Sequence, residues 1–144
     1  MLKANLKSRT SLKNQFYYYE NASNFHNKVR DVFVNDKFFK QLGCYQEVPL
    51  SFLVDNYPNN FDAVDWWIDE LGIILELHGK QHYVSTAFTK NISYEEKQKN
   101  FFNIKYRDNR KKTFLINSGY EYTEISYKQV GKINSSYLKQ LILN

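Results

Sequence analysis

Two acids and two histidines, Asp65, Glu76, His78 and His82, fall within the single stretch VDWWIDELGIILELHGKQHY that runs from Val64 to Tyr83. Carboxylates are the preferred ligands of hard divalent cations, and Mg²⁺ is commonly held by one or two of them with a substrate phosphate completing its shell. A cation held this way polarises a phosphoryl oxygen and activates water, while a nearby histidine moves protons close to neutral pH. Asp65 and Glu76 are therefore the candidate metal ligands, with His78 and His82 as candidate acid/base groups. A Zn²⁺ site built from His78 and His82 fits less well. Their i, i+4 spacing suits a helix, Gly79 interrupts it, and no cysteine lies near.

Whether the two acids meet depends on the elements that carry them. Val64 to Ile68 and Ile73 to Leu77 read as short apolar strands joined by a tight turn, Asp69-Glu70-Leu71-Gly72, in which Gly72 supplies a positive φ. With Ile68 opposite Ile73, Asp65 falls opposite Glu76, and such pairs have Cβ atoms roughly 4.5–5.5 Å apart. Two like charges at that distance call for something positive between them. His78 returns to the same face by the period of two, whereas Trp66, Ile68, Ile73, Leu75 and Leu77 make an apolar opposite face that reads as core. A slip of one residue would separate the acids. The competing structural reading is a hairpin whose acids are simply solvated.

The flanking chain supplies further elements. Ser23 or Asn24 caps a helix with Phe25, Val29, Val32, Phe33 and Phe39 on its apolar stripe, which Gly43 stops after Leu42. His26 lies beside that stripe as a boundary residue or a further catalytic candidate. Cys44 to Val54 reads as a strand, with Pro49 favouring an edge or bulge, and 55–60 as a turn-rich loop. Ser93 and Glu96 form a capping box that opens a long helix ending before Gly119. Asp108 sits on its inward stripe with Phe101, Ile104 and Leu115. A carboxylate there needs a cation or hydrogen bonds, from a salt bridge or from a site. A strand over Tyr120 to Tyr127 and a terminal helix from Asn134 or Ser135 complete the chain.

The 144 residues are enough for one domain with a real core, expected over 16–144 behind a basic arm at 1–15. One cysteine excludes an intramolecular disulfide and fits a reducing compartment. No apolar run reaches membrane-span length and Met1-Leu2-Lys3 opens no secretory signal, so the expectation is a cytoplasmic protein without a membrane partner. The net charge of +5 is unevenly placed. Lys3, Lys7, Arg9 and Lys13 crowd the arm, and Lys97, Lys99, Lys105, Arg107, Arg110, Lys111 and Lys112 crowd the long helix. With 12 Tyr and 11 Phe available to stack on bases, a nucleic acid is the natural polyanion. The plainer reading is a solvated surface rich in Lys and Tyr.

The order of elements resembles the PD-(D/E)XK nucleases, the fold of type II restriction enzymes and Holliday-junction resolvases. More closely, Val64-Asp65-Trp66, then Ile74-Leu75-Glu76-Leu77-His78-Gly79-Lys80-Gln81-His82, then Arg107-Asp108-Asn109-Arg110 and Leu115 to Gly119 resemble the very-short-patch-repair (Vsr) endonucleases, a branch that includes free-standing homing endonucleases of phages. The matching motifs span Val64 to Tyr127, about half the chain. The resemblance implies an α/β restriction-endonuclease-like core, a mixed central sheet flanked by helices. It implies Asp65 and Glu76 as ligands of Mg²⁺, with Mn²⁺ as a substitute, His82 as the branch's further histidine, and Asp108 as its helix aspartate.

His78 stands where the wider fold carries the lysine of its E-x-K motif, Lys80 is displaced from that place, and the cysteines of the branch's structural zinc are absent. The first-helix acid of the fold has His26 or Glu20 as its counterpart here. Lys7, Arg9, Lys80, Gln81, Arg107, Arg110 and Lys111 are the expected DNA contacts. The implied activity is Mg²⁺-dependent endonucleolytic cleavage of duplex, mismatched or branched DNA, possible as a homodimer. A Holliday-junction resolvase, a catalytically inactive DNA-binding module on a nuclease fold and a subunit-interaction domain are the alternatives.

Overall fold

The structure, a computed structural model, describes residues 24–80 and 93–144. Its centre is the hairpin in the expected register. Strand β2 (Ala63–Ile68) runs antiparallel to β3 (Ile73–His78) through Ile68–Ile73, Trp67–Ile74 and Trp66–Leu75. One 3₁₀ turn, Asp69–Leu71, joins them and closes at Gly72 with φ 63°, a conformation that costs a residue without Cβ little.

Two further strands give the sheet order β1-β2-β3-β4. β1 (Cys44–Pro49) is an antiparallel edge, where the missing N–H of Pro49 leaves no ladder bond unmade. β4 (Glu121–Ser126) lies parallel to β3, from Ile73 beside Glu121 to His78 beside Ser126. A parallel neighbour requires a crossover connection, and the long basic helix lies on it. The result is a mixed α/β architecture, a four-stranded mixed sheet flanked by helices.

The helix caps follow the sequence signals in three places and overturn them in one. The long helix (Tyr94–Asn117) starts where Ser93 Oγ accepts the N–H of Glu96 at 3.1 Å. It ends before Gly119 at φ 92°. The terminal helix (Ser135–Leu143) starts where Asn134 accepts from the Tyr137 N–H at 2.8 Å. The first helix, expected to run unbroken to Leu42, is instead two: α1 (Asn24–Asn35) and α2 (Lys37–Lys40). Asp36 divides them, accepting from the N–H groups of Phe38 and Phe39. Capping a new helix is what a short acid does better than continuing an old one.

The strand expected to reach Val54 also stops early, at Pro49, and Leu50–Leu53 forms the short helix α3, which buries both leucines. With these in place the long helix is α4 and the terminal one α5. A 3₁₀ segment at Tyr127–Lys132, unmarked in the sequence, leads into α5.

Both sheet faces are covered. Trp66, Ile68, Ile73, Leu75, Leu77 and Ile125 pack against Phe25, Val29, Phe33 and Phe39 of the first helices and Leu138 and Ile142 of α5. Trp67 and Ile74 pack on the other side with Val48, Val64, Leu50, Leu53 and Leu115 of α4. Each such side chain contributes about 1.5–3 kcal/mol by leaving water. Asp65 and Glu76, one alternation from Trp67 and Ile74, share the α4 face.

Candidate functional site

One level of the sheet carries an acid on every strand. Glu76 of β3 is paired in register with Glu124 of β4. The β2–β3 register, extended by one residue, sets Asp65 beside Glu76, and the β1–β2 register sets Glu47 beside Asp65. Four carboxylates at strand spacing repel one another, so the row stands only with compensation. Leu77 N–H donates to Asp65 Oδ2 at 2.7 Å. Positive charge comes from α4.

Lys111 Nζ stands 2.9 Å from Glu76 Oε1, with both side chains all but buried, although Oε1 lies off the direction of a well-formed hydrogen bond. Lys112, the next residue, reaches Glu124 Oε1 at 3.7 Å from a half-exposed position. Lys111 is buried on one stripe of α4 with Ile104 and Leu115, and Asp108 lies on the same side. Lys111, one of the expected DNA contacts, is buried here against Glu76. Folding brings an ammonium to the second carboxylate from the helix instead of from the strand.

Glu47 carries no sequence signal, and it is the structural surprise of the site. Its φ of 55° is left-handed, in the middle of a strand whose pairing resumes on both sides with no residue inserted. Such a conformation costs a non-glycine residue on the order of 1–3 kcal/mol. Tyr45 and Val48, on either side of it, pack on the α4 side with their β2 partners Trp67 and Val64. Glu47, opposite Asp65 in the register, lines the same cleft as Asp65 and Glu76. Replacing Glu47 by glycine is expected to raise the melting temperature at pH 7.5 by several degrees, since about 1 kcal/mol corresponds to roughly 4 °C at this size. An unchanged or lower melting temperature would contradict strain at this position.

The cleft, of about 330 Å³, is lined by these three acids, by His26 of α1 and by Arg107, Asp108 and Lys111 of α4. His26, Asp108 and Arg107 thus share the cleft with the acids. Arg110 has a different role: its Nε and Nη2 donate to Asp62 Oδ2 at 3.2 and 2.9 Å. Asp62 also accepts from Tyr57 Oη at 2.6 Å and Asn59 Nδ2 at 3.2 Å. Burial pushes the Asp62 carboxyl up, but these donors together outweigh it and hold the group below its ordinary range. The network clamps the loop before β2 onto α4.

His78 turns away from the cleft. It is buried, with Nδ1 3.0 Å from Glu124 Oε2 on the far side of Glu76. The period of two sets the face of His78, and the parallel pairing of β3 with β4 sets its neighbour there. Lys80 is exposed at the end of the described segment. Lys7, Arg9, Gln81, His82, the basic arm and Glu20 lie outside the described residues.

Burial pushes the Glu76 carboxyl well above its usual range, Asp65 adds to the rise, and Lys111 opposes it without cancelling it. Burial and then Asp65 push Glu47 up to about 7, again against Lys111. A carboxyl held this high is an anion short of positive charge, and its donors are the hard oxygens that Mg²⁺ and Mn²⁺ take. Among the described residues no group of three or more acids, histidines or cysteines is placed to hold a metal ion by itself. The donor set fits a cation held by one or two carboxylates, with substrate and water completing the shell.

A pH dependence follows. Because the folded values exceed the unfolded ones, the folded state binds the extra protons, and stability falls as pH rises from the ordinary glutamate range through about 7. Without divalent cation, the melting temperature should therefore be higher at pH 5.5 than at 7.5. Millimolar Mg²⁺ should raise it at pH 7.5 and barely at 5.5. A thermal-shift series in chelator and in Mg²⁺ reads both, and equal shifts at the two pH values would contradict the account.

No helix among the described residues is long and apolar enough to cross a membrane. The chain matches no family model, no curated protein and no solved structure.

Proposed function

We propose that this chain is a divalent-metal-dependent endodeoxyribonuclease with a restriction-endonuclease-like core, nearest in its motifs to the Vsr-like branch. The observation that carries the reading is the constellation itself: Asp65 and Glu76 side by side on a hairpin, in an open cleft, with Lys111 Nζ 2.9 Å from the second carboxylate. Two acids and an ammonium in one cleft are the parts that phosphodiester hydrolysis needs.

Asp65 and Glu76 are the groups that would hold Mg²⁺ or Mn²⁺. When bound, the metal supplies Lewis-acid polarisation of the phosphate and lowers the pKa of water. Lys111 orients the Glu76 carboxylate and places an ammonium where charge builds on the phosphoryl oxygens. Arg107 binds a phosphate at the cleft wall, a contact that holds DNA without reading its sequence. His26 takes up or gives a proton at its imidazole. The cellular setting that suits this activity is the cytoplasm of a bacterial or phage-infected cell.

The decisive test is cleavage of linear, mismatched and four-way-junction DNA by the purified chain in Mg²⁺, in Mn²⁺ and in chelator. The proposal expects cutting that chelator abolishes and either metal restores. Preference for the junction would select a resolvase. Salt-dependent binding without cutting in either metal would sink the nuclease assignment and leave a binding module on this fold.

A further inference from the structure

Phe61 is 80 % exposed, yet the backbone that presents it is tightly tied. Asn59 Oδ1 accepts from the N–H groups of Phe61 and Asp62 at 3.1 and 2.9 Å, and Asp62 is gripped by Tyr57, Asn59 and Arg110. The ring lines the cleft that holds the acids. Beyond Asp62, the Arg110 guanidinium lies 5.5 Å from the centre of the Tyr106 ring, itself 67 % exposed, with Phe102 one helical turn earlier at 76 %. An aromatic strip therefore leads away from the cleft mouth, on a helix that carries seven basic residues against three acidic ones.

Exposed rings on a fixed frame call for a cover, and the surrounding charge says which. An apolar protein surface would find Arg107 and Lys105 beside it, whereas a nucleotide brings a flat π face for the ring and a phosphate for the cations. Within a paired duplex the faces of the bases are already stacked on their neighbours. A base outside the stack offers Phe61 a free face with no neighbour to unstack, which a wedge into a duplex would have to do at an energetic cost.

We propose that Phe61 is a stacking platform for an unpaired base of the DNA strand whose phosphate enters the cleft, which makes DNA with an unpaired nucleotide at the cut site the substrate class. The inference rests on the nuclease reading for the identity of the strand. Phe61→Ala leaves the turn intact, because Asn59 and Asp62 hold the backbone and the ring is outside the core.

The test is equilibrium binding in chelator, so that no strand is cut, of three oligonucleotides of one sequence: a full duplex, a duplex with one unpaired base, and the single strand. Each carries 2-aminopurine at the position that is unpaired in the second. The two probes with an unpaired base should bind about 10-fold more tightly than the duplex, with quenched 2-aminopurine fluorescence, and Phe61→Ala should remove that gain while leaving duplex affinity in place. Equal affinity for all three probes, or equal weakening of all three by the substitution, overturns the proposal. So does a dimer that Phe61→Ala disperses, because a second copy would then cover the ring. Failure to cut in Mg²⁺ would defeat the nuclease reading and leave these binding differences standing, so the two failures are distinguishable.

Discussion

Lys111→Met should lower the cleavage rate by about 10²–10³-fold, the usual loss when one preorganised charge at a reacting group is removed. Methionine keeps most of the stem's volume, so packing beside Ile104 and Leu115 is largely retained. The electrostatic cost is separate. Breaking one side of a buried ion pair typically costs about 3–5 kcal/mol, but Glu76, already held above its usual range, has the alternative of keeping its proton. The destabilisation should therefore be large at pH 8 and small at pH 5.5. Adding Glu76→Gln should recover most of the lost stability at pH 8, since a neutral pair in place of a buried ionic one is often harmless, and should recover no activity. Melting curves at the two pH values together with cleavage rates decide the matter. A variant that cuts at the parent rate would remove Lys111 from the site.

Asp65→Asn is the second large effect, and its two readouts move in opposite directions. The amide oxygen can still accept the Leu77 N–H that the carboxylate now accepts at 2.7 Å, so the hairpin is preserved. The lost charge is the one that raises both Glu47 and Glu76 after burial itself. Relief of that repulsion should raise the melting temperature at pH 7.5, while the stabilisation by Mg²⁺ disappears. Cleavage should fall by on the order of 10³-fold or more, the equivalent of several kcal/mol of lost metal assistance. DNA affinity should hold or tighten, because one anion has left the path of the phosphate. Stability gained where function is lost is the expected signature of a site held under strain. Undiminished cutting would sink the assignment of Asp65.

Local chemistry made much of this fold legible. Ser93, Asn134, Gly72 and Gly119 mark element ends because caps and left-handed turns depend on a residue's own side chain and its immediate neighbours. The Asp65–Glu76 pairing was equally readable, since a tight turn sets the register of the two strands it joins. Lys111 was within reach of the same reasoning. It lies four residues before Leu115 and seven after Ile104, on the inward stripe of the helix. Lysine's ordinary preference for water argued against the helical period, and the buried carboxylate opposite reverses that preference.

Other features had no local signal. Glu47 adopts φ 55° in the middle of an edge strand, a choice that pattern and propensity do not encode. His78 faces Glu124, and not the cleft, because a strand more than 40 residues later pairs parallel to its own. Arg110 clamps Asp62 across 48 positions, so a residue that reads as a phosphate contact serves to hold the loop beneath Phe61.

The sequence by itself determined the hairpin, its register, the two acids on one face and the helix ends, because each depends on interactions across a few residues. Only the tertiary structure decided which cation meets the acids, that a third acid joins them, and which histidine leaves. Those outcomes depend on how α4 and β4 settle against β3, and such long-range packing is fixed by the whole core at once rather than by any segment of it.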